Sequence, residues 1–190
     1  FNSQSKRNCN WKIIFFIIKM VNIFFLDLNP EKCAKYYNDK HILKIPIEIT
    51  QVLSKVLHHY KKEGIININV SRIYVDSKMI SQSSNLFLWM LKENNFSYCL
   101  NLAIELIKEY KYRYNKRNHK TEIPLKYIEE VFKKNKNIFR KNQNKNLSFP
   151  IINKYLYYEL LSKNPIKIAR YHYTELKYFK GKYKKKNIPH

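Results

Sequence analysis

The region from residue 39 to residue 62 has the clearest periodic pattern in the chain. At about 100° per residue, its polar positions fall into one stripe roughly 80° wide on a helical wheel, and apolar residues fill most of the remainder. The pattern predicts a helix buried on most sides. Pro46 predicts a kink or a restart within it, because proline removes a helical hydrogen bond. The polar stripe consists of His41, Lys44, Glu48, Gln51 and Lys55.

Other helices are indicated by capping signals and by apolar spacing. Asn29 before Pro30 is typical of an N-cap followed by proline at the first helical position. Asparagines weaken helices, so a long helical region over 83–114 is expected to break near 93–95. The predicted helices cover 30–37, 39–62 and 83–114, a segment opening at Thr121 and Pro124, and segments near 152–162 and 165–180.

Two short segments do not fit a helical pattern. Residues 23–28 form an apolar run bounded by Asn and Pro, which is typical of a buried strand. Residues 65–77 alternate polar and β-branched residues, which indicates an extended or irregular stretch. The chain contains only two glycines, and this disfavours folds rich in hairpins. The sequence therefore predicts a mainly α fold, a single-domain helical bundle with a short N-terminal strand.

The expected domain organisation places one helical domain over residues 20–180. A length of 190 residues is most simply one domain with a sizeable core. Met20 is the expected natural start, so residues 1–19 are predicted to be upstream sequence or a disordered tail. The tract 133–146, rich in Asn and Lys, is predicted to be an exposed linker. Residues 181–190 form a basic tail.

The strongest compositional signal is positive charge. The chain has 37 Lys and Arg against 14 Asp and Glu, a formal net charge of +23. Such a charge attracts polyanions, and nucleic acid is the expected partner, DNA more than RNA. The alternative is that A/T-rich codons supply the Lys, Asn, Ile, Tyr and Phe that dominate the chain. The lysines are scattered along the sequence, and this favours the alternative.

Several kinds of chemistry have no motif in this sequence. The three cysteines lack metal-site spacing, which indicates a reducing, intracellular setting, and no metal site is predicted. No phosphate-binding glycine loop or nucleophile elbow is present, and this disfavours nucleoside triphosphate chemistry. The sequence does not identify a cofactor. The apolar run over 13–18 is too short to cross a membrane, and no membrane partner is expected. The oligomeric state is left open.

The polar stripe is the predicted catalytic site. It brings together an imidazole, a carboxylate, an amide and cations, the groups needed for proton transfer and anion binding. An ordinary alternative is that a buried helix turns its remaining polar residues to water, with Lys44 and Glu48 as an i,i+4 pair. The predicted catalytic residues are Asp39, His41, Lys44, Glu48, Gln51, Arg113 and His119.

Two further clusters have both a functional and a structural interpretation. Glu105, Glu109 and Arg113 lie at i,i+4 steps, which is typical of a solvated helix face as well as of a carboxylate pair. The C-terminal region interleaves aromatic and basic residues, which suits base stacking and phosphate contact but also an amphipathic helix with a buried aromatic face. The predicted nucleic-acid-binding residues are Arg170, Tyr173, Lys177, Lys184, Lys185 and Lys186.

The segment VNIFFLDLNPEKCAKYYNDKHILKIPIEITQVL resembles the start of a family of small, largely uncharacterised proteins from tailed phages, large DNA viruses and bacteria. The family pattern is M-N-I-F-x-L-D-x-D-P, followed by D-K-H-x-x-K and E-x-x-Q. Glu109 to Glu122 is similar to a second family element, and Arg170 with Tyr173 to a closing helix. A His-Pro and a closing Trp of the family are absent here. Some members are labelled pyrimidine-dimer glycosylases, but the resemblance supports the position of the site and not a particular reaction.

These patterns together predict a nucleic-acid-directed enzyme of phage or viral type that repairs or modifies a base. Lys44 and Arg113 are expected to hold an anionic group, Asp39 or Glu48 to act as acid or base, and His41 to assist proton transfer. One alternative is a non-catalytic nucleic-acid-binding protein. Another is an enzyme that acts on a small anionic metabolite.

Overall fold

The computed structural model describes residues 25–74 and 85–139, together with residues 23, 166, 167, 169, 170 and 173. These residues form a mainly helical bundle, as the sequence predicts. The described part contains five α-helices and no β-strand. The helices are α1 (Pro30–Tyr36), α2 (Asp39–Lys62), α3 (Asn85–Met90), α4 (Glu93–Tyr114) and α5 (Glu122–Lys134).

The beginnings of α1 and α2 follow the capping rules. Asn29 Oδ1 accepts hydrogen bonds from the backbone N–H groups of Glu31 and Lys32, and Pro30 occupies the first turn of α1. These contacts satisfy backbone donors that a helix start leaves without internal partners. At the start of α2, Asn38 Oδ1 accepts from the backbone N–H of His41. Both helices therefore begin where the sequence predicts.

Helix α2 is continuous through Pro46, so the predicted restart does not occur. Pro46 is buried, and its carbonyl oxygen accepts a hydrogen bond from Thr50 Oγ1 at 2.6 Å. Ser54 Oγ repeats the arrangement one turn later with the carbonyl of Thr50. Side-chain bonds of this kind let a helix keep buried hydroxyls satisfied. Helix α2 ends at Lys62, two residues before Gly64, which has a positive φ of 69°.

The predicted break in the long helical region is displaced by two residues. Helix α3 ends at Met90 and α4 begins at Glu93, so the break falls at Leu91 and Lys92. Asn95 lies inside α4, where its Nδ2 donates to the carbonyl of Trp89 at 2.9 Å. The asparagine predicted to interrupt the helix instead links its first turn to α3.

Helices α2 and α4 form the centre of the bundle. Helix α1 packs on α4, α3 and α5 pack against α2 and α4, and a single buried apolar cluster runs through all of these elements. Phe96, Phe132 and Phe139 pack against one another at one end of that cluster, with ring centroids 4.7 to 4.9 Å apart. The burial of so much apolar area is what stabilises the bundle.

The N-terminal run is buried but is not a strand where it is described. Ile23, Phe25 and Leu26 belong to the apolar core, yet residues 23 and 25–27 have no regular secondary structure. The segment that includes residues 65–74 is irregular, as predicted, with one 3-10 turn at Val70–Arg72. No helix of the described residues is long and apolar enough to cross a membrane.

Several predicted segments lie outside the described residues. They are the tail 1–19, residues 140–146 of the predicted linker, the helix near 152–162 and the basic tail 181–190. The described part of that linker, 133–139, is not an exposed linker throughout, because α5 extends to Lys134 and Phe139 is buried in the apolar core. Of the predicted helix over 165–180, residues 166, 167, 169, 170 and 173 are described and have helical backbone.

Candidate functional site

The junction of α1 and α2 is the centre of the candidate site. Only Tyr37 and Asn38 separate the two helices, and both are buried. The final carbonyl groups of α1 and the first N–H groups of α2 meet here, and neither set has helical partners of its own. Asn38 caps the start of α2 locally, whereas the carbonyl groups of Lys35 and Tyr37 are satisfied by the distant Arg113.

Arg113 fixes the corner from the last turn of α4. Its Nη1 donates to the carbonyl of Tyr37 at 2.7 Å, and its Nη2 donates to the carbonyl of Lys35 at 3.0 Å. The same guanidinium contacts Glu109 Oε2 at 2.9 Å and Asp39 Oδ1 at 3.3 Å. Its side chain is only 3% exposed. Arg113 is therefore engaged inside the fold, and its observed contacts are to the protein itself.

Asp39 lies in the first turn of α2, where the helix dipole favours a negative charge. Its backbone carbonyl accepts a hydrogen bond from the hydroxyl of Tyr114 at 3.2 Å. Burial, together with the nearby Asp39 carboxylate, raises the pKa of that tyrosine. The second carboxylate oxygen of Asp39, Oδ2, is buried and has no hydrogen-bond partner among the described residues. A buried polar atom of this kind marks a functional position, a site of strain or a bound water.

His41 is anchored by a residue from the far end of the chain. Its Nδ1 lies 2.9 Å from the hydroxyl oxygen of Tyr173. The same hydroxyl accepts a hydrogen bond from the backbone N–H of Asn38 at 2.8 Å. Tyr173 is 3% exposed and its ring packs edge-on against Tyr37, whereas the imidazole of His41 is partly exposed. The Tyr173 hydroxyl thus fixes Nδ1 of His41, and the His41 residue remains partly exposed.

Lys44 and Glu48 form an ion pair along α2, at an N to O distance of 3.1 Å. The two partners differ strongly in exposure, since the side chain of Lys44 is 57% exposed and that of Glu48 only 3%. Glu48 is at the edge of the buried face of α2, and Gln51 is partly exposed one turn further along. Burying a carboxylate is costly, so the lysine ammonium contributes to its stabilisation.

His119 lies in the segment that links α4 to α5, and it contacts α2. Its Nε2 is 3.3 Å from the carbonyl of Leu43, and its Nδ1 is 2.7 Å from Thr121 Oγ1. The backbone N–H of His119 also donates to Glu122 Oε1. Burial lowers the pKa of His119, because removal from water disfavours the charged imidazole. The neutral ring suits the Leu43 carbonyl when the proton is on Nε2.

The structure brings the predicted residues together in pairs around the start of α2. Asp39 is with Arg113, His41 is with Tyr173, and Lys44 is with Glu48. His119 approaches the same helix at Leu43, one turn from Lys40. Asp39, Glu48 and Arg113 are buried, so the cluster is not a fully hydrated surface.

The predicted nucleic-acid-binding residues have a different arrangement from the one expected. Tyr173 is buried beside His41, so its ring is not open to stack on a base. Arg170 donates to the carbonyl of Leu26 and to Asp27 Oδ2, both at 2.6 Å, and its guanidinium lies over the ring of Tyr36. Both residues attach the C-terminal segment to the rest of the fold. Lys177, Lys184, Lys185 and Lys186 lie outside the described residues.

No group of His, Cys, Asp and Glu side chains in the described part of the chain is arranged to hold a metal ion. Cys33 and Cys99 are both fully buried. Burial raises the pKa of both thiols, which keeps them protonated and unreactive as nucleophiles.

Sequence reasoning missed Tyr37, Asn38 and Tyr114 as parts of this site. Asn38 carried a usable signal, because Asn directly before Asp at a helix start is typical of an N-cap. The contacts of Tyr37 and Tyr114 depend on the packing of α4 against the corner, and no local pattern indicates them.

No protein-family model, no curated protein and no solved structure matches this chain. The family resemblance of the N-terminal motif therefore stays a prediction.

Proposed function

We propose that this protein is a nucleic-acid-directed enzyme that repairs or modifies a base, with DNA as its substrate. The observation that carries the proposal is the anchored, partly exposed His41 in the first turn of α2, the helix that also carries the buried carboxylates of Asp39 and Glu48. A net charge of +23 supports a polyanionic substrate. General acid and base catalysis needs an imidazole held in one orientation, which the Tyr173 hydroxyl provides.

The hydrogen bonds around Tyr173 suggest which nitrogen of His41 takes part. The Tyr173 oxygen accepts from the Asn38 N–H and lies 2.9 Å from His41 Nδ1, and we assign the hydroxyl proton to the bond with Nδ1. A neutral imidazole that accepts at Nδ1 carries its proton on Nε2. Proton transfer to a substrate is then assigned to Nε2, and Tyr173 is a positioning residue.

The other residues take roles that follow from their exposure. The ammonium of Lys44 is at the surface, where it can contact a phosphate, and Glu48 lies beneath it as an acid or base. Asp39 has a buried carboxylate oxygen, Oδ2, without a hydrogen-bond partner in the described part of the chain and is the second candidate acid or base. We assign Arg113 a positioning role in place of the predicted anion contact, since its guanidinium contacts Asp39 and the Tyr37 carbonyl at the helix corner.

Access to this site sets a condition on the substrate. The reactive atoms of a base are covered when it is stacked in a duplex, so an enzyme acting on them extrudes the base or acts on a single strand. The proposed enzyme is therefore expected to act faster on mismatched, damaged or single-stranded positions than on intact pairs.

The proposal is tested by treating ultraviolet-irradiated and undamaged DNA with the full chain and measuring released or altered bases by mass spectrometry. His41→Ala and Glu48→Gln are expected to lower the rate by about 100-fold or more, the usual contribution of a general acid or base. His58→Ala is the matched control, since His58 is a partly exposed histidine further along the same helix.

Two results would contradict the proposal. Unchanged DNA binding with no reaction on any DNA, in wild type and in His41→Ala alike, would favour the non-catalytic binding protein. Absence of salt-sensitive DNA affinity, together with saturable binding of a small anion, would favour the metabolite enzyme.

A further inference from the structure

The segment between α4 and α5, residues 115–121, is fixed against the first turns of α2. Two contacts define this position, one from the residue that precedes the segment and one from a residue within it. The Tyr114 hydroxyl reaches the carbonyl of Asp39, and His119 Nε2 reaches the carbonyl of Leu43. Residues 115–121 therefore lie beside the turn of α2 that contains Lys40.

The conformation of this segment is well defined by its contacts. Asn115 adopts a left-handed conformation with φ of 51°, which ends α4 sharply. The ring of His119 packs edge-on against Tyr110, with centroids 4.9 Å apart. Thr121 is fully buried, and its backbone N–H donates to His119 Nδ1. The buried residues His119 and Thr121 thus fix the backbone that carries the exposed side chains of this segment.

Three of the five exposed residues of the segment are cationic, and the other two are the neutral Asn115 and Asn118. Lys116, Arg117 and Lys120 are exposed, and so is Lys40 on the adjacent turn of α2. Among the described residues, none of these four cations has an ion-pair partner, whereas nearby Lys111 is paired with Glu122. We call these four residues the loop cations. Lys44 lies one helical turn after Lys40 on α2, near the proposed catalytic residue His41.

We propose that the loop cations bind the sugar–phosphate backbone of DNA next to the site at His41. This inference rests on the proposed function and deepens it by naming the surface that holds the strand. The backbone that carries these cations is already ordered, so binding through this segment costs less conformational entropy than binding through a flexible tail. Phosphate contacts of this kind position the substrate without reading its sequence.

The test compares two pairs of charge-removing substitutions in the full chain. The first pair is Arg117→Ala with Lys120→Ala. The matched control pair is Lys62→Ala with Lys134→Ala, two exposed cations without ion-pair partners in the described part of the chain. Lys62 is about 33 Å along α2 from Lys40, and Lys134 lies about 18 Å along α5 from its first residue, at a rise of 1.5 Å per residue. The probe is a short DNA duplex of mixed sequence, and the dissociation constant is measured over a range of NaCl concentrations.

The first pair is expected to weaken binding equally for different duplex sequences. It is also expected to lower the slope of log affinity against log salt by about 1 for each cation removed. The control pair is expected to leave that slope close to that of the wild type. Equal effects of the two pairs would overturn the inference and indicate diffuse attraction by the whole surface. An effect of the control pair alone would also overturn it.

The outcomes separate this inference from the proposed function. If the wild type does not bind DNA at any salt concentration, both fail. If it binds and processes DNA but the first pair changes neither affinity nor slope, only the loop-cation inference fails. Circular dichroism of each variant checks that the helical fold is retained.

Discussion

Arg113 shows how one side chain can hold two helices in register. Its guanidinium meets two carbonyl groups at the end of α1 and two carboxylates, and a lysine has neither the planar shape nor enough donors to replace all of these contacts. Because its partners are buried, removing it leaves carbonyl and carboxylate groups without hydrogen bonds in a region that water does not readily reach. The stability of the corner therefore depends on this one residue more than on any surface ion pair.

We expect Arg113→Met to lower the free energy of unfolding by about 3 to 5 kcal/mol, the usual effect of removing one partner of a buried pair. Lys111→Met is the control, since the Lys111 to Glu122 pair is about one-third exposed and such pairs contribute about 0 to 1 kcal/mol. Urea denaturation followed by circular dichroism gives both values. A similar small loss in both variants would show that the Arg113 contacts are weak.

At the scale of elements, the link between α4 and α5 depends on a neutral histidine. The pKa of His119 lies below its ordinary value of about 6.5 because the ring is buried, so the unfolded chain binds a proton more readily than the folded one. The stability associated with the neutral ring is fully present above about pH 6.5 and is lost as the pH falls toward the lower folded pKa. The docking of residues 115–121 on α2 should weaken over the same range.

We therefore expect the free energy of unfolding of the wild type to fall between about pH 7.5 and pH 5.5 more steeply than that of His119→Gln. Glutamine retains an N–H donor for the Leu43 carbonyl but does not titrate in this range. Urea titrations at several pH values measure the difference. Parallel profiles for the two proteins would contradict a role for His119 protonation.

Local elements were largely predictable from the sequence, and the contacts between them were not. The N-caps at Asn29 and Asn38 and the end of α2 near Gly64 are encoded within a few residues, so the helix boundaries there are close to those predicted. The break before α4 was displaced because Asn95 found a partner on Trp89, a contact outside the local pattern. Tertiary packing overrides propensity in this way.

The same distinction applies to the candidate site. The Lys44 to Glu48 and Glu109 to Arg113 pairs follow from i,i+4 spacing and were accessible from the sequence. Tyr173 was instead predicted to face a base, and its buried contact with His41 joins residues 132 positions apart. One sequence carries no periodic signal for a contact of that separation, and burial, which decides the role of Tyr173, follows only from the packed fold.

At the scale of the whole molecule, positive charge is the dominant electrostatic property. With 37 cationic and 14 anionic side chains, the cations greatly outnumber the carboxylates that can pair with them. Mutual repulsion among the excess cations opposes the compact state. Dissolved salt screens such repulsion over distances of about 8 to 10 Å at moderate ionic strength.

We expect the thermal midpoint of unfolding to rise when NaCl is increased from about 20 mM to about 300 mM, because screening relieves repulsion more than it weakens the ion pairs. Differential scanning calorimetry at neutral pH measures this change. A falling midpoint would show that the ion pairs, including the buried contacts of Arg113, outweigh the repulsion.

The bond between Tyr173 and the turn at Asn38 has a consequence for synthesis of the chain. Its partners are separated by 135 positions, so a ribosome must add at least that many residues after Asn38 before the imidazole of His41 acquires its anchor. Nascent chains that end before Tyr173 would contain every residue of α2 and still lack this anchor. The orientation that the proposed function requires of His41 would thus be absent from chains that end before Tyr173.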